Sequence, residues 1–318
     1  MKILVTGGAG FIGSHFMINM FRKESNDTIY CLDALTYASN MSRLSKVIDR
    51  PDFLFVKGNI EDAYLVEELF EKYKFDYVVN FAAETHVDRS INNPTIFLQT
   101  NIIGTSVLLN AAIKYKVKRF HQVSTDEVYG DLPLGKKEKP FSEKSLLNPS
   151  SPYSVSKASA DMLVLSYVKT YGLDATISRS SNNYGPFQHS EKFIPMIIKN
   201  ALKNYKIPVY GNGQNSRDWI HVMDHCHAIE LILYRGRKGE VYNIGGDNEL
   251  VNLDLVKIIL DKLMVSENLI NFVDNRLGHD LRYAVDSRKI INEIGFQYSK
   301  KFDEGIDETI EWYKKNEY

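Results

Sequence analysis

Short apolar runs alternate with segments of helical spacing along the first half of the chain. The runs KILVTG, TIYCLD, FLFVKGNI, DYVVNFAA, KRFHQVST and LDATISR have the length and composition of strands. Helix-like segments separate several of these runs, so the pattern predicts a parallel sheet with helices on both faces. The strands are apolar almost throughout, which is expected for a sheet that is buried on both sides.

The pattern changes after about residue 180, where stretches rich in Gly, Asn and Pro separate predicted helices at 252–263 and 303–314. We therefore predict an α/β protein with a doubly wound parallel sheet and a smaller α/β substrate-binding lobe. The large domain is predicted to comprise residues 1–180, with 219–248 returning to it. The smaller lobe is predicted to comprise the remaining segments, 181–218 and 249–318.

Composition excludes several classes of partner. The 318 residues include 39 Lys+Arg and 40 Asp+Glu, so a net charge of −1 gives no electrostatic footprint for nucleic acid or an anionic membrane. Cys31 and Cys226 are far apart and have no metal-ligand spacing, which favours buried thiols in a reducing compartment and no metal site. We expect no signal peptide, no apolar run approaching the ~20 residues of a membrane span, and a cytoplasmic protein.

The segment TGGAGFIGS places three glycines, Gly7, Gly10 and Gly13, between the first strand and the first helix. Glycines let the backbone approach a pyrophosphate, and the helix N-terminus supplies free N–H groups. Asp33 ends the second strand, where it can accept hydrogen bonds from ribose hydroxyls and would repel a 2′-phosphate. A glycine turn alone can be a plain tight turn, but this context predicts a Rossmann sheet that binds NAD rather than NADP.

Tyr153 and Lys157, in YSVSK, lie at positions i and i+4 and therefore share one face of a predicted helix. A free phenol has a pKa of ~10 and is a poor base at neutral pH. A neighbouring ammonium group stabilises the phenolate and lowers that pKa. Such a pair is common on helix surfaces, but together with Thr125 and the glycine turn it predicts a proton-transfer site.

Two acids, Asp126 and Glu127, follow Thr125 at the end of a predicted strand, in STDEVYG. Adjacent acids are usually a solvated turn. When two carboxyl groups are close, however, both cannot ionise freely and their pKa values separate. One acid and one base on neighbouring residues would suit a reaction that removes a proton from one carbon and protonates a leaving group on the next.

The segments TGGAGFIGS, NFAAETHVDRS, STDEVYG, YSVSK and SRSSNNYGP together resemble the extended short-chain dehydrogenase/reductases, and the resemblance covers nearly the whole chain. The acid pair is similar to that of the sugar-nucleotide 4,6-dehydratases in that family, whereas related epimerases usually lack it. The resemblance implies NAD as cofactor and dTDP-glucose as substrate. It implies oxidation at carbon 4, loss of water across carbons 5 and 6, and hydride return to carbon 6.

Two alternatives remain open at this point. One is a different nucleotide sugar, linked to CDP, GDP or UDP, or an epimerase in the same fold. The other is a non-catalytic dinucleotide-binding regulator, which would have no need of Thr125, the acid pair or Tyr153 with Lys157.

L-rhamnose synthesis is the commonest destination of the product that the resemblance implies.

The resemblance assigns roles residue by residue. Thr125 would bond the hydroxyl on carbon 4, Asp126 would be the acid for water loss, Glu127 the base at carbon 5, and Tyr153 with Lys157 the base for the oxidation. Contacts to the cofactor are implied for Gly7, Gly10, Phe11, Ile12, Gly13, Asp33, Ala34, Leu35, Thr36, Asn59, Ile60, Ala82, Ala83, Glu84, Thr100, Tyr153 and Lys157. Contacts to the substrate are implied for Thr85, Thr125, Asn182, Glu191, Lys192, Tyr210, Gly211, Arg217, Asn252, Arg276, His279 and Asp280.

Two positions depart from the family pattern: Asn59 stands where Asp is frequent, and Leu277 stands where Pro is usual. The predicted helices 94–115 and 152–171 are apolar around more than one face, as buried helices are. One face must cover the sheet. The resemblance implies that the other face forms a homodimer contact, and the alternative is a larger core within one chain.

Overall fold

The centre of the protein is a seven-stranded sheet. The structure is a computed structural model that describes residues 1–22, 27–135, 138–275 and 277–316. The strands of this sheet are β1 Lys2–Thr6, β2 Thr28–Asp33, β3 Phe53–Lys57, β4 Tyr77–Asn80, β5 Arg119–Thr125, β6 Ala175–Ser180 and β10 Val241–Ile244. All neighbours pair in parallel, in the order β10-β6-β5-β4-β1-β2-β3. The predicted doubly wound parallel sheet is confirmed.

Helices cover both faces of this sheet and build most of the smaller lobe. Those before residue 180 are α1 Phe11–Phe21, α2 Ala63–Tyr73, α3 Val87–Asn92, α4 Pro94–Phe97, α5 Thr105–Lys114 and α6 Pro152–Tyr171. Those after it are α7 Phe193–Leu202, α8 Val222–Arg235, α9 Asn252–Leu263, α10 Arg288–Ile294 and α11 Phe302–Lys315. Short 3₁₀ turns lie at Met41–Leu44, Asp126–Tyr129 and Glu267–Leu269.

Local sequence explains where the longest helix begins and ends. Ser151 and Ser154 form a capping box at the start of α6, with Pro152 in the first turn. The helix stops at Gly172, which has φ +71°, a left-handed conformation that glycine adopts without strain. These signals place Tyr153 in the first turn of α6, at the carboxyl edge of the sheet.

The smaller lobe contains two further sheets. Its strands are β7 Asn182–Tyr184, β8 Ile207–Tyr210, β9 Ser216–His221, β11 Glu249–Val251 and β12 Ile270–Val273. They form a three-stranded sheet, β11-β9-β7, and a two-stranded sheet, β12-β8. The segment 219–248 contributes to both parts: it begins in β9 of the small sheet, and its later strand β10 joins the large sheet beside β6.

A π-helical segment, Leu98–Gly104, joins α4 and α5 into one helical rod, Pro94–Lys114. The long helix predicted at 94–115 is therefore present, but it contains a local widening that the apolar pattern does not predict. Single π turns inside helices are frequent at functional sites. Here the π segment carries Thr100 and Asn101, and the side chain of Asn101 bonds the backbone N and O of Glu84 at 2.9 and 3.0 Å.

The same rod corrects the expectation that no segment approaches a membrane span. Pro94–Lys114 has 21 residues, and its most apolar 18-residue window has a mean hydropathy of 1.5, enough to cross a bilayer by length and composition alone. Its most apolar window is 44% buried inside the protein. Core helices of soluble proteins meet the same criteria, so this is weak evidence for a membrane segment.

His121 lies at the centre of β5 and is 0% exposed, with its ring nitrogens 2.9 Å from Thr176 Oγ1 and 3.0 Å from Ser178 Oγ. Burial lowers the pKa of His121 from 6.5 to about 3. The unfolded chain therefore binds this proton first, and stability is lost as the pH falls below 6.5 towards 3. We expect His121→Gln to reduce the loss of unfolding free energy between pH 7 and 5 by about 2 kcal/mol in urea titrations. Equal losses in both proteins would contradict this.

Candidate active site

The carboxyl ends of the central strands open into one cavity of about 490 Å³. The cavity follows the edge of the sheet where β1 and β4 are neighbours, the point at which the strand order reverses. Ligands of doubly wound sheets bind at such switch points. The predicted residues that line the cavity are Gly7, Gly10, Phe11, Ile12, Gly13, Asp33, Ala34, Thr36, Asn59, Ile60, Ala82, Ala83, Glu84, Thr85, Thr100, Thr125, Asp126, Glu127, Tyr153, Lys157, Asn182, Glu191 and Lys192.

The glycine turn is packed too closely for side chains. A Cβ added at Gly7, which has φ +68°, would lie 2.6 Å from the backbone N of Ala82, and one added at Gly13 would lie 2.5 Å from the Gly7 carbonyl oxygen. The turn and the end of β4 therefore approach each other, and α1 begins in the cavity wall at Phe11. The first N–H groups of a helix have no partner within it, so this end of α1 suits a pyrophosphate.

Asp33 is held in a fixed orientation at the end of β2. Its Oδ2 accepts a hydrogen bond from Ala9 N at 2.9 Å, and its Oδ1 accepts one from Leu35 N at 2.8 Å. The side chain of Leu35 itself does not line the cavity. Each carboxylate oxygen has a further lone pair, so Asp33 can also accept bonds from both hydroxyls of a ribose.

The acid pair lies directly after β5, in the turn Asp126–Tyr129. Thr125 caps that turn, because its Oγ1 accepts the Glu127 N–H at 3.3 Å and donates to Asp126 Oδ1 at 3.3 Å. Asp126 is 2% exposed, and its Oδ2 has no hydrogen-bond partner among the described residues. Burial raises the pKa of Asp126 well above its usual range, and the carboxylates of Glu127 and Asp218 raise it further. This environment favours a protonated Asp126 beside Glu127.

Tyr153 and Lys157 face the acid pair from α6 and are 7% and 4% exposed. Burial raises the pKa of Tyr153 above its usual range, and Glu127 raises it further, while a hydrogen bond with Thr125 acts in the opposite direction. Burial also lowers the pKa of Lys157 to about 8. Lys157 donates from Nζ to the carbonyl of Val123 at 2.7 Å. The lysine alone predicts a lowered pKa for Tyr153, but burial and the nearby acids raise this pKa instead.

The far wall of the cavity comes from the smaller lobe. Lys192 donates from Nζ to the carbonyl of Thr85 at 3.2 Å, which ties the start of α7 to the segment after β4. Glu191 lies 3.7 Å from ring nitrogens of both His86 and His189. Asn182, in β7, also reaches the cavity, and its Oδ1 is buried without a partner among the described residues.

Other residues predicted to bind substrate do not line this cavity. Tyr210 ends β8, Arg217 lies in β9 and Asn252 begins α9. The others, Gly211, His279 and Asp280, lie in loops. Some of these six residues contact one another: Arg217 donates to the Asp280 carbonyl at 2.9 Å, and the rings of Tyr210 and His279 lie 5.7 Å apart. Arg276 lies outside the described residues, and its neighbour Leu277 is 77% exposed.

Sequence reasoning missed several residues of the cavity wall. Ser180, Ser181 and Asn183 line it beside Asn182, within a segment whose motif was recognised for only one of its positions. Trp219 and Gln188 also line it. Neither residue carries a local signal, because only the paths of β9 and of the chain after β7 bring these two side chains to the cavity.

A family model described as GDP-mannose 4,6 dehydratase matches residues 4–309. The dTDP-glucose 4,6-dehydratase of Haemophilus influenzae is 47% identical over 336 residues, covering 99% of this chain and 98% of the relative. The crystal structure of DesIV, a dTDP-glucose 4,6-dehydratase of Streptomyces venezuelae with NAD and dTDP bound, matches with a TM-score of 0.96 at 45% identity, covering 99% of this chain and 98% of that one.

A second solved structure, the dTDP-glucose 4,6-dehydratase of Bacillus anthracis in complex with NAD, matches with a TM-score of 0.92 at 47% identity. The match covers 100% of this chain and 97% of that one. The chain therefore belongs to the GDP-mannose 4,6 dehydratase family, within the extended short-chain dehydrogenase/reductases. The resemblance drawn from the motifs is confirmed.

Proposed function

We propose that this protein is an NAD-dependent dTDP-glucose 4,6-dehydratase. The observation that supports this most directly is the meeting of Thr125, Asp126, Glu127, Tyr153 and Lys157 in the same cavity as the glycine turn. Relatives that are 44–47% identical over 99% of this chain have that name. The product would be dTDP-4-keto-6-deoxyglucose, with no net oxidation.

The residues of the cavity fit NAD. The closely packed turn at Gly7 and Gly13 leaves room for a pyrophosphate at the start of α1, and Asp33 is oriented for ribose hydroxyls. NAD held there would supply the hydride acceptor for carbon 4 and the hydride donor for carbon 6. Bound NAD would also bring the positive charge of its oxidised ring to the cavity that Tyr153 lines, which would favour the phenolate against the effect of burial.

The chain's own residues would carry the protons. Thr125 forms a hydrogen bond with the hydroxyl on carbon 4. Tyr153, as the phenolate stabilised by Lys157, removes the proton of that hydroxyl. The resulting carbonyl at carbon 4 makes the proton on carbon 5 acidic, and Glu127 removes it. Asp126, which burial keeps protonated, donates to the hydroxyl on carbon 6 and releases water. A base and an acid on adjacent residues match a reaction at adjacent carbons.

Alternatives within the fold differ in the acid pair or in the nucleotide. An epimerase needs the Tyr153–Lys157 pair but has no use for a buried acid beside a second carboxylate. The family model is described for GDP-mannose, so GDP-, CDP- or UDP-hexoses are the remaining competitors for the same chemistry. The nucleobase would be read by the smaller lobe, for which we propose segments 181–218 and 249–318.

The test is to incubate the purified protein with dTDP-glucose in heavy water, without added NAD, and to determine the mass of the product. Loss of one water together with gain of one deuterium at carbon 5 is expected. An unchanged mass would contradict the proposal. The same assay is then repeated with the CDP-, GDP- and UDP-hexoses. A dehydratase for another nucleotide sugar would release water from one of these substrates, whereas an epimerase would invert a sugar centre without loss of water.

Replacing Asp33 by Asn should weaken NAD binding by about 10-fold, because a bond to a charged acceptor becomes one to a neutral amide. The preference for NAD over NADP should fall as well, since the repulsion of a 2′-phosphate is lost. Titration of nucleotide-free protein with both nucleotides measures this, with the exposed Asp49→Asn as control. An unaltered ratio of the two affinities would remove Asp33 from the ribose site.

The assembly and location of the protein are also part of the proposal. The exposed apolar side chains Leu98, Ile103 and Met162 lie on the rod Pro94–Lys114 and on α6, outside the cavity, which supports a homodimer through these helices. We further propose a cytoplasmic enzyme whose product enters deoxysugar synthesis, with L-rhamnose as the commonest destination. Light scattering of the purified protein would test the dimer.

A further inference from the structure

A buried ion pair lies behind the catalytic groups. Arg179, in β6, donates from Nε to Asp161 Oδ2, on α6, at 2.8 Å. The side chains are 3% and 0% exposed, and neither residue lines the cavity. Replacing a buried ion pair by apolar residues is often neutral or stabilising, so the presence of this pair is poorly explained by stability alone.

Arg179 also contacts the acid-bearing turn. Its Nη1 donates to the phenol oxygen of Tyr129 at 2.9 Å, and its guanidinium carbon lies 4.9 Å from the centre of that ring. Tyr129 is the last residue of the turn Asp126–Tyr129. One guanidinium group therefore joins α6 to the turn that carries Asp126 and Glu127.

Tyr129 is itself held on two further sides. Its hydroxyl donates to Asn243 Oδ1, in β10, at 2.8 Å, and its ring stacks on Phe141 with the centroids 5.1 Å apart and the planes 18° from parallel. Asn243 in turn donates from Nδ2 to the Phe141 carbonyl at 3.0 Å. Tyr129 thus contacts Arg179 in β6, Asn243 in β10 and Phe141, which come from three different parts of the chain. The turn therefore has little freedom to move relative to the sheet.

The other end of the ion pair lies on the catalytic helix. Tyr153, Lys157 and Asp161 are at positions i, i+4 and i+8 of α6 and share one face. In the β5–β6 register Arg179 is opposite Ser124, and Ser180 is opposite Thr125. The pair is thus placed between the two sets of groups that must act in turn on one sugar.

We propose that Asp161 and Arg179 are positioning residues that hold the acid-bearing turn in register with the Tyr153–Lys157 helix. This rests on the proposed function, in which Tyr153 acts at the oxygen on carbon 4 and Glu127 acts at carbon 5. Both groups must reach neighbouring atoms of a single bound sugar. A misplacement of about 1 Å can cost about 10²-fold in rate.

Asp161 has a second effect on the site. Its Oδ1 is buried and accepts no hydrogen bond from the described residues. The negative charge raises the pKa of Lys157, against the larger lowering that burial produces. Asp161 thereby helps to keep the ammonium group charged beside Tyr153, in addition to fixing the turn.

The first variant is Tyr129→Phe, which keeps the stacked ring and removes only the hydroxyl that Arg179 and Asn243 share. After rapid mixing with dTDP-glucose, absorbance of enzyme-bound NADH follows oxidation at carbon 4, and loss of water is followed in quenched samples. We expect water loss to slow by about 10²-fold while oxidation stays within a factor of two to three, so that NADH accumulates. Equal slowing of both steps, or no slowing, would overturn the proposal.

The second variant is the double replacement Asp161→Leu with Arg179→Met, which removes both charges together and so avoids an unpaired buried charge. Its control is Arg119→Met with Asp174→Leu, since Arg119, at the start of β5, and Asp174, just before β6, form a bidentate pair at 3.0 and 3.1 Å at the other end of β6 from Arg179. We expect both double variants to fold, and only the Asp161–Arg179 double variant to lose water more slowly. Wild-type rates in the Asp161–Arg179 double variant would mean that the pair is merely structural.

A readout without substrate separates this inference from the proposed function. Amide hydrogen exchange of residues 126–130 should be faster in Tyr129→Phe and in the Asp161–Arg179 double variant than in the wild type and the control. Unchanged exchange would overturn the inference even if the enzyme is active. Faster exchange in a protein that does not convert dTDP-glucose would support the positioning role and reject the substrate.

Discussion

Tyr153→Phe should lower turnover by about 10³-fold or more, because proton transfer by a positioned side chain contributes on this scale. The ring should keep its place, since it is 7% exposed and packs edge-to-face against Phe97 with centroids 6.3 Å apart. Only the hydroxyl, which bonds with Thr125, is removed. NAD should therefore stay bound to the variant while oxidation at carbon 4 fails.

The measurement is steady-state turnover together with the NAD content of the purified variant. Tyr167→Phe is a suitable control, because Tyr167 lies on the same helix and its hydroxyl bonds Asn110 Oδ1, away from the cavity. Turnover of the Tyr153 variant within 10-fold of the wild type would exclude the phenol as the base. Loss of NAD along with activity would instead show that Tyr153 acts mainly in binding.

Glu127→Gln should leave oxidation at carbon 4 intact and abolish the exchange of the proton on carbon 5 with solvent. Because the 4-keto sugar then cannot lose water, enzyme-bound NADH should accumulate, and turnover should fall by about 10²- to 10⁴-fold. Asp126→Asn should also slow water loss but should preserve the exchange at carbon 5, since Glu127 remains. The two variants are therefore distinguishable by deuterium incorporation alone.

This chain contains a matched control for the acid pair. Asp303 and Glu304 are also adjacent and lie in the first turn of α11, exposed and outside the cavity. Their amides, Asp303→Asn and Glu304→Gln, should leave every step unchanged. Carbon 5 exchange that persists in Glu127→Gln would show that another group removes this proton, and the roles assigned to the pair would then be wrong.

The pH dependence of turnover follows from the same pair. The proposed roles require a protonated Asp126, so turnover should fall at high pH as Asp126 loses its proton. Burial comes first among the causes that raise the pKa of Asp126, and the charge of Glu127 comes next. Removing that charge in Glu127→Gln lowers the pKa of Asp126.

Local patterns in the chain determined most of the architecture and the chemical type of the site. The strand β2 and the helix α9 begin and end where their sequence patterns predict, because the spacing of apolar residues over a few positions distinguishes a strand from a helix. The glycine turn, Asp33, the Tyr153–Lys157 spacing and the adjacency of Asp126 and Glu127 are likewise local. A spacing of i and i+4 on a helix places two side chains on one face whatever else the chain does.

Only the tertiary structure decided the electrostatics and the supporting contacts. The pKa of Tyr153 depends on its depth of burial and on carboxyl groups from another segment, so Lys157 alone predicts the wrong direction. The π segment that presents Thr100 is held by contacts between Asn101 and Glu84, which no periodicity reveals. The pairing of Asp161 with Arg179, 18 residues apart, requires α6 to pack against β6. The pKa of Tyr153, the Asn101–Glu84 contacts and the Asp161–Arg179 pair all depend on residues that are distant in sequence and that only folding brings together.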